Sequence, residues 1–288
     1  MKTGLVIEGG NLRNAFTCGV LKRFLESDLK LEPIFATGLG ALSAVYYRAG
    51  QAEALEDMYG DYFAAKNEIS RLNAMKGERS AVDTQALADI VWNNHPLDMQ
   101  SFSSAPGTLR MATTRSDNGD SVFWPLERIT EAKHLRQFLR AGLTFPGAGE
   151  PVQLVERSYY DGSIAEPLPV KAALDAGCDH VVVIRTHPSD FTMPRQRLTP
   201  ALALALNTVP MTKNAYLLSH LHYNRELKLL DQLQRDGRAF VVAPVVESTD
   251  LHRYGVSRSA ASEFYSEGLR LGSEAVAQLR QFLAEDEQ

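Results

Sequence analysis

Twice within its first 48 residues the chain runs from a short apolar strand through a small-residue turn into a helix. Gly4 to Glu8 reads as a buried strand, Gly9-Gly10 turns the chain, and Phe16, Val20, Leu21 and Leu25 recur at helical spacing over a helix from about Ala15 to Ser27. Pro33 to Thr37 repeats the strand, a tight turn follows, and Leu42 to Arg48 repeats the helix. Such short connections force parallel strands with right-handed crossovers. The pattern therefore predicts an α/β fold, a three-layer α/β/α sandwich on a mostly parallel central sheet. A ligand site is expected at the carboxyl ends of the first strands, where crossovers change direction.

The interleaving continues. Ala52 to Leu72 and Thr84 to Trp92 read as helices, Leu109 to Thr114 and Ser121 to Leu126 as a β-hairpin, and Glu131 to Leu143 as a helix. A strand from Val152 to Tyr160, a loop "DGSIAEPLP", a helix from Val170 to Ala176 and the strand "HVVVIRT" follow. "LTPALALALNTVP" is apolar on every side if helical, which predicts a buried helix; the competing reading is a lid or a lipid-facing surface. Met211 to Gln234 is a long amphipathic helix, Ala239 to Val245 a last strand, and Ser259 to Ala284 a last helix. No repeat or low-complexity linker divides the chain. It is expected to be one domain over residues 1–288, with a helical extension at about 246–288.

Charge excludes some functions. A net charge of −5 supplies no basic field for phosphate backbones, so no nucleic-acid partner is expected. No apolar run is long enough to span a bilayer, and the start "MKTGLVIEGG" has no signal-peptide pattern, which predicts a cytoplasmic protein. Cys18 and Cys178 sit in apolar surroundings and read as free buried thiols. His220 and His222 would point to different faces of a helix, so no metal site is expected.

Three segments carry the chemistry. "EGGNLRNAFTCGVL" is a strand-to-helix turn whose free N–H groups at a helix start can bind an anion. "IFATGLGALSAV" has the form of a hydrolase nucleophile turn, G-x-S-x-G, but reads Ala36-Thr37-Gly38-Leu39-Gly40. "YYDGSIAEPLPV" sets a lone acid, Asp161, before Gly162. In this order the trio resembles the patatin-like phospholipase family, most closely its bacterial cytosolic branch. The resemblance extends to "HLHYNRELKLLDQLQRDGRAFVVAPV" and the final "EFYSEGLRLGSEAVAQLRQFL".

The resemblance implies a patatin-like fold and acyl-ester hydrolysis on lipids, without metal or organic cofactor. It implies an oxyanion loop at Gly9, Gly10, Asn11 and Arg13, a nucleophile at position 38, and Asp161 as its base. The matches are Gly9, Gly10, Arg13, Gly40 and Asp161. The departures are Gly38 in place of the serine, Ala36 in place of the elbow's first glycine, Asn11 and Asn14 in place of loop glycines, and Gly142 in place of a serine. Several independent departures point to natural loss rather than an engineered knockout. Glycine at an elbow also removes the backbone strain a serine bears there, so the turn can outlast the chemistry.

Three readings follow from this mixture. The first is an inactive hydrolase scaffold that still binds a lipid, an acyl-ester ligand or a partner, with possible peripheral membrane contact. The second is a hydrolase that works without the serine, through Thr37, Ser43 or water activated by Asp161. The third is a structural or interaction role, in which Asp161 is a turn residue and Arg13 a solvated helix start. Glu8, at the end of the first strand, is expected to pair with Arg13 or Arg140.

Overall fold

The computed structural model describes residues 1–61, 84–245 and 258–285. Five parallel strands form its centre: β1 (Thr3–Ile7), β2 (Ile34–Ala36), β3 (Leu109–Arg115), β7 (His180–Ile184) and β8 (Ala239–Val242). Three more, β4 (Ser121–Pro125), β5 (Val152–Leu154) and β6 (Arg157–Asp161), run antiparallel to their neighbours. The strand order is β5-β6-β3-β2-β1-β7-β8, with β4 on β3.

The three layers follow from strand alternation. Leu5, Ile7, Ile34, Ala36, Val182 and Ile184 face one core, which is closed by α1 (Asn14–Glu26), α2 (Leu39–Arg48) and α10 (Arg258–Glu285). Val6, Phe35, Val181 and Val183 face the other, closed by α7 (Val170–Asp175) and α9 (Pro210–Arg235). Further helices are α3 over residues 52–61, α4 (Thr84–Asn94), α5 (Met99–Ser104), α6 (Ala132–Leu143) and α8 (Pro200–Ala205).

One detail of the sheet matters most for the site. β3 pairs with β4 along one edge throughout, while its other edge is shared. β2 takes Leu109 to Met111, and β6 takes Thr113 to Arg115 from the opposite direction. The carboxyl ends of β2 and β6 therefore meet head to head beside Ala112.

Some expectations change. Val152 to Tyr160 is two strands, joined by a tight turn at Val155, which sits at φ 54 with its side chain 79% exposed. No glycine or asparagine marks that turn, so the sequence reads as continuous. Helix α2 begins at Leu39, because Gly38 caps it and the small residues that read as turn are already helical. The last strand stops at Val242. The fully buried helix expected around residue 200 is only six residues long. Leu202 and Leu206 are buried while Leu204 is 77% exposed. Of the helix expected over Ala52 to Leu72, residues beyond 61 lie outside those described, as do 246–257 and 286–288 of the expected extension.

Candidate functional site

Strand β1 delivers the first loop. The Glu8 amide donates to Ile184 O (3.0 Å), continuing the ladder, and the Gly9 amide donates to Pro167 O (3.1 Å). Gly10 then caps a 3-10 turn over Asn11–Arg13 that runs into α1. The first N–H groups of such a helical start lack acceptors within it and form its positive end. The loop lies tight against its neighbours: a Cβ on Gly9 would fall 2.7 Å from Thr37 Cγ2, and one on Gly10 would collide with the Thr186 side chain. Asn11 holds φ 52, a left-handed conformation that asparagine tolerates better than most residues.

Strand β2 delivers the second turn. Gly38 sits at φ 54 and ψ −139, a region that penalises any side chain. Space is not the obstacle, since a Cβ there would lie in ordinary contact with Asp161, 3.4 Å from Oδ1 and 3.7 Å from Oδ2, and 3.8 Å from Gly9 Cα. Gly40 lets α2 rest on β1, where a Cβ would approach Ile7 Cγ2 to 2.7 Å. Strand β6 brings Asp161, which is buried. Its amide donates to Thr144 O (2.7 Å), its carbonyl accepts from Thr114 Oγ1 (2.8 Å), and its Oδ1 accepts from the Ser163 amide (2.8 Å).

Gly9, Gly10, Asn11, Arg13, Gly38 and Asp161 all line one cleft of about 150 Å3. Thr37 and Gly40 support it from behind. Thr37 is fully buried, its methyl against Gly9 and its Oγ1 2.6 Å from where a Cβ on Gly162 would sit. Ser43 is equally buried, accepting from Asn14 Nδ2 (2.6 Å) and contacting Cys18 Sγ (3.2 Å). That contact turns Asn14 into the α1–α2 interface rather than the cleft. Burial pushes the Cys18 thiol up to about 12, so it stays protonated.

Glu8 pairs with neither Arg13 nor Arg140. Its side chain follows the alternation of β1 onto the α9 face, where Oε2 accepts from the Thr186 amide and Oε1 from Tyr223 OH, both at 2.6 Å. Arg185 Nη2 lies 3.4 Å from the same hydroxyl. Burial and the Glu8 charge raise Tyr223 well above the ordinary tyrosine range, which keeps it a donor.

Sequence reasoning missed the other walls of the cleft. His187, stacked on Phe191 at 3.7 Å, follows β7, and Phe145, Met193, Gln196, Tyr216 and Ser219 are among the other lining residues. His187 had a usable signal: it follows the carboxyl end of a parallel strand next to β1, where ligand-facing residues gather. The walls from Met193 to Ser219 had none, because their approach depends on how α8 and α9 fold back. Cys18 and Cys178 are free and buried, and among the described residues no cluster of three His, Cys, Asp or Glu could hold a metal ion.

A glycine loop opening a helix, a strand-to-helix elbow and a D-G aspartate converging at the strand ends define a class of acyl-hydrolase scaffold. The sequence profile described as patatin-like phospholipase matches residues 5–174, well over half of the chain, and the chain belongs to that family. A second profile, a domain of unknown function named DUF6363, matches residues 209–284. Among curated proteins, the uncharacterized protein YjjU of Escherichia coli (strain K12) is 26% identical over 200 residues, which are 66% of this chain and 53% of that protein. The chain thus spans about half the length of that relative. Among solved structures, VipD from Legionella pneumophila aligns with 95% of this chain and 67% of its own at 12% identity and a TM-score of 0.41.

Proposed function

We propose that this protein is a patatin-type acyl hydrolase scaffold whose cleft binds a lipid or acyl-ester ligand and whose hydrolysis is lost or severely reduced. The observation that carries the reading is Gly38. It holds the elbow conformation with its Cα side turned to both oxygens of Asp161, and it has no hydroxyl to form an acyl-enzyme. The amides of Gly10 and Asn11 and the Arg13 side chain supply the anion-binding edge. Membership of the family supports a lipid ligand. The two buried free thiols fit a reducing, cytoplasmic setting.

A second reading has one observation in its favour. The room beside Asp161 that a serine would fill can hold a water molecule, which the carboxylate could deprotonate for direct attack on a bound ester. Substitution of the hydroxyl by Thr37 or Ser43 is disfavoured by the burial of both.

Hydrolysis of short-chain fluorogenic esters and a labelled phospholipid by the wild type, Asp161→Ala and Thr37→Val separates the readings. Binding of a fluorescent fatty acid is measured in parallel. The expected result is binding without turnover above buffer. Turnover abolished by Asp161→Ala would reject the inactive reading in favour of activated water. Neither binding nor turnover would leave the cleft a relic.

A further inference from the structure

Between Asp190 and Glu226 the sequence contains Arg195, Arg197, Lys213 and Arg225 and not one acidic residue, in a chain of net charge −5. The same segment is unusually apolar outside. Seven large hydrophobic side chains are exposed among the described residues, and four of them, Leu204, Met211, Leu218 and Leu221, fall here at 47–77% exposure. On α9 they share a stripe. Met211, Asn214, Leu218, Leu221, His222 and Arg225 follow at three- and four-residue spacing and are all exposed, whereas Thr212, Tyr216, Ser219 and Tyr223 on the opposite stripe are buried. Tyr216 and Ser219 line the cleft from the inside, together with Met193 and Gln196. One layer of chain therefore separates the cleft from this outer face.

We infer that the outer face of residues 191–225 docks the protein on an anionic lipid surface. Exposed leucine and methionine side chains enter the headgroup boundary while Arg195, Arg197 and Arg225 meet anionic headgroups. Two of the acids bordering the face are already engaged, while Asp190 precedes it and Glu166 and Asp175 share a cavity with His222 and Arg225. Asp117, in the turn that packs on Met211 through Gly119, is held by Arg115 (2.7 Å) and Arg157 (3.1 Å). Glu226 turns inward to accept from the Lys171 amide (2.7 Å). A second copy of the chain is a poorer occupant, since a two-fold interface would set the same cations against themselves. Among the described residues no helix is long and apolar enough to cross a membrane, so the contact is peripheral. The inference rests on the proposal that the cleft takes a lipid ligand and adds where that ligand comes from.

The test is co-sedimentation of the full chain with vesicles of phosphatidylcholine alone and of an equal mixture with phosphatidylglycerol. The wild type, Arg195→Glu/Arg197→Glu and Leu218→Ser/Leu221→Ser are compared; all four positions are exposed, and circular dichroism checks the fold. The expected result is binding to the mixed vesicles that weakens with salt and falls at least about tenfold in each double variant. No binding to mixed vesicles, or binding indifferent to both variants, overturns the inference. So does an oligomer, seen by sedimentation velocity without lipid, that the same substitutions dissolve. Binding of a fluorescent short-chain fatty acid, measured without vesicles, keeps the two proposals apart. If it persists while vesicle binding is absent, only the docking face falls; if it is absent while vesicle binding responds to the variants, only the cleft reading falls.

Discussion

A serine at position 38 would project its hydroxyl toward Asp161 from a backbone conformation that costs any residue with a Cβ roughly 1–3 kcal/mol. Gly38→Ser is therefore expected to lower stability by that amount in denaturant unfolding while restoring part of the ester hydrolysis, and Asp161→Ala added to it should remove the gain. Recovery stays partial because Ala36 and Asn11 also alter the elbow and the loop. Full family-like turnover would show those changes to be neutral. Glu8 gives a second case: Tyr223→Phe leaves a buried carboxylate one donor short, so a loss of roughly 1.5–3 kcal/mol is expected in the same measurement. The two differ in what the sequence discloses. Gly38 and Asp161 sit in short motifs whose form is visible locally. The partner of Glu8 is 215 residues away in sequence, and nothing near Glu8 points to it.

Among the described elements, α1 and α10 pack backbone against backbone. A Cβ on Gly268 would strike Phe16 O, one on Gly19 would strike Tyr265 O, and one on Gly272 would come within 3.0 Å of Val20 Cα, while Phe16 and Phe264 pack at 6.0 Å. Gly268→Leu should push the helices apart and destabilise the protein by about 3 kcal/mol, read as a drop in thermal midpoint. An exposed change on the same helix, Arg270→Ala, should cost less than about 1 kcal/mol. Element type was legible where periodicity ran long, as in α9, and where a short apolar run met a glycine turn, as in β1. Boundaries were lost where the signal was a backbone angle, as at Val155, or where a cap such as Gly38 belongs to turn and helix at once. The four-residue spacing of Gly268 and Gly272 was in plain sight, but its meaning depends on a helix about 250 residues earlier.

For the molecule as a whole, we propose that the regions matched by the two profiles fold as one unit, because β8 extends the sheet beside β7 and α10 completes the core over α1. Its stability should depend on pH through Glu166, which follows Asp161 on the same loop and opens onto a separate cavity of about 660 Å3. Burial, followed by the charge of Glu226, raises Glu166 from 4.5 to about 7, and the Ser121 hydroxyl and then Lys171 only partly offset this. The folded state thus holds a proton the unfolded chain has released, and stability falls as pH rises from about 4.5 through 7. Glu166→Gln should flatten that slope and be more stable than wild type at neutral to alkaline pH by roughly 1–3 kcal/mol, checked by unfolding across the range. The shared edge of β3 carries a different kind of consequence. Because β2 and β6 are each locked to it by their own ladder, the approach of position 38 to Asp161 is a property of sheet register and not of the residues that face each other. A change of side chain at position 38 is thus written onto a frame that the neighbouring ladders hold, and the spacing to Asp161 outlasts it.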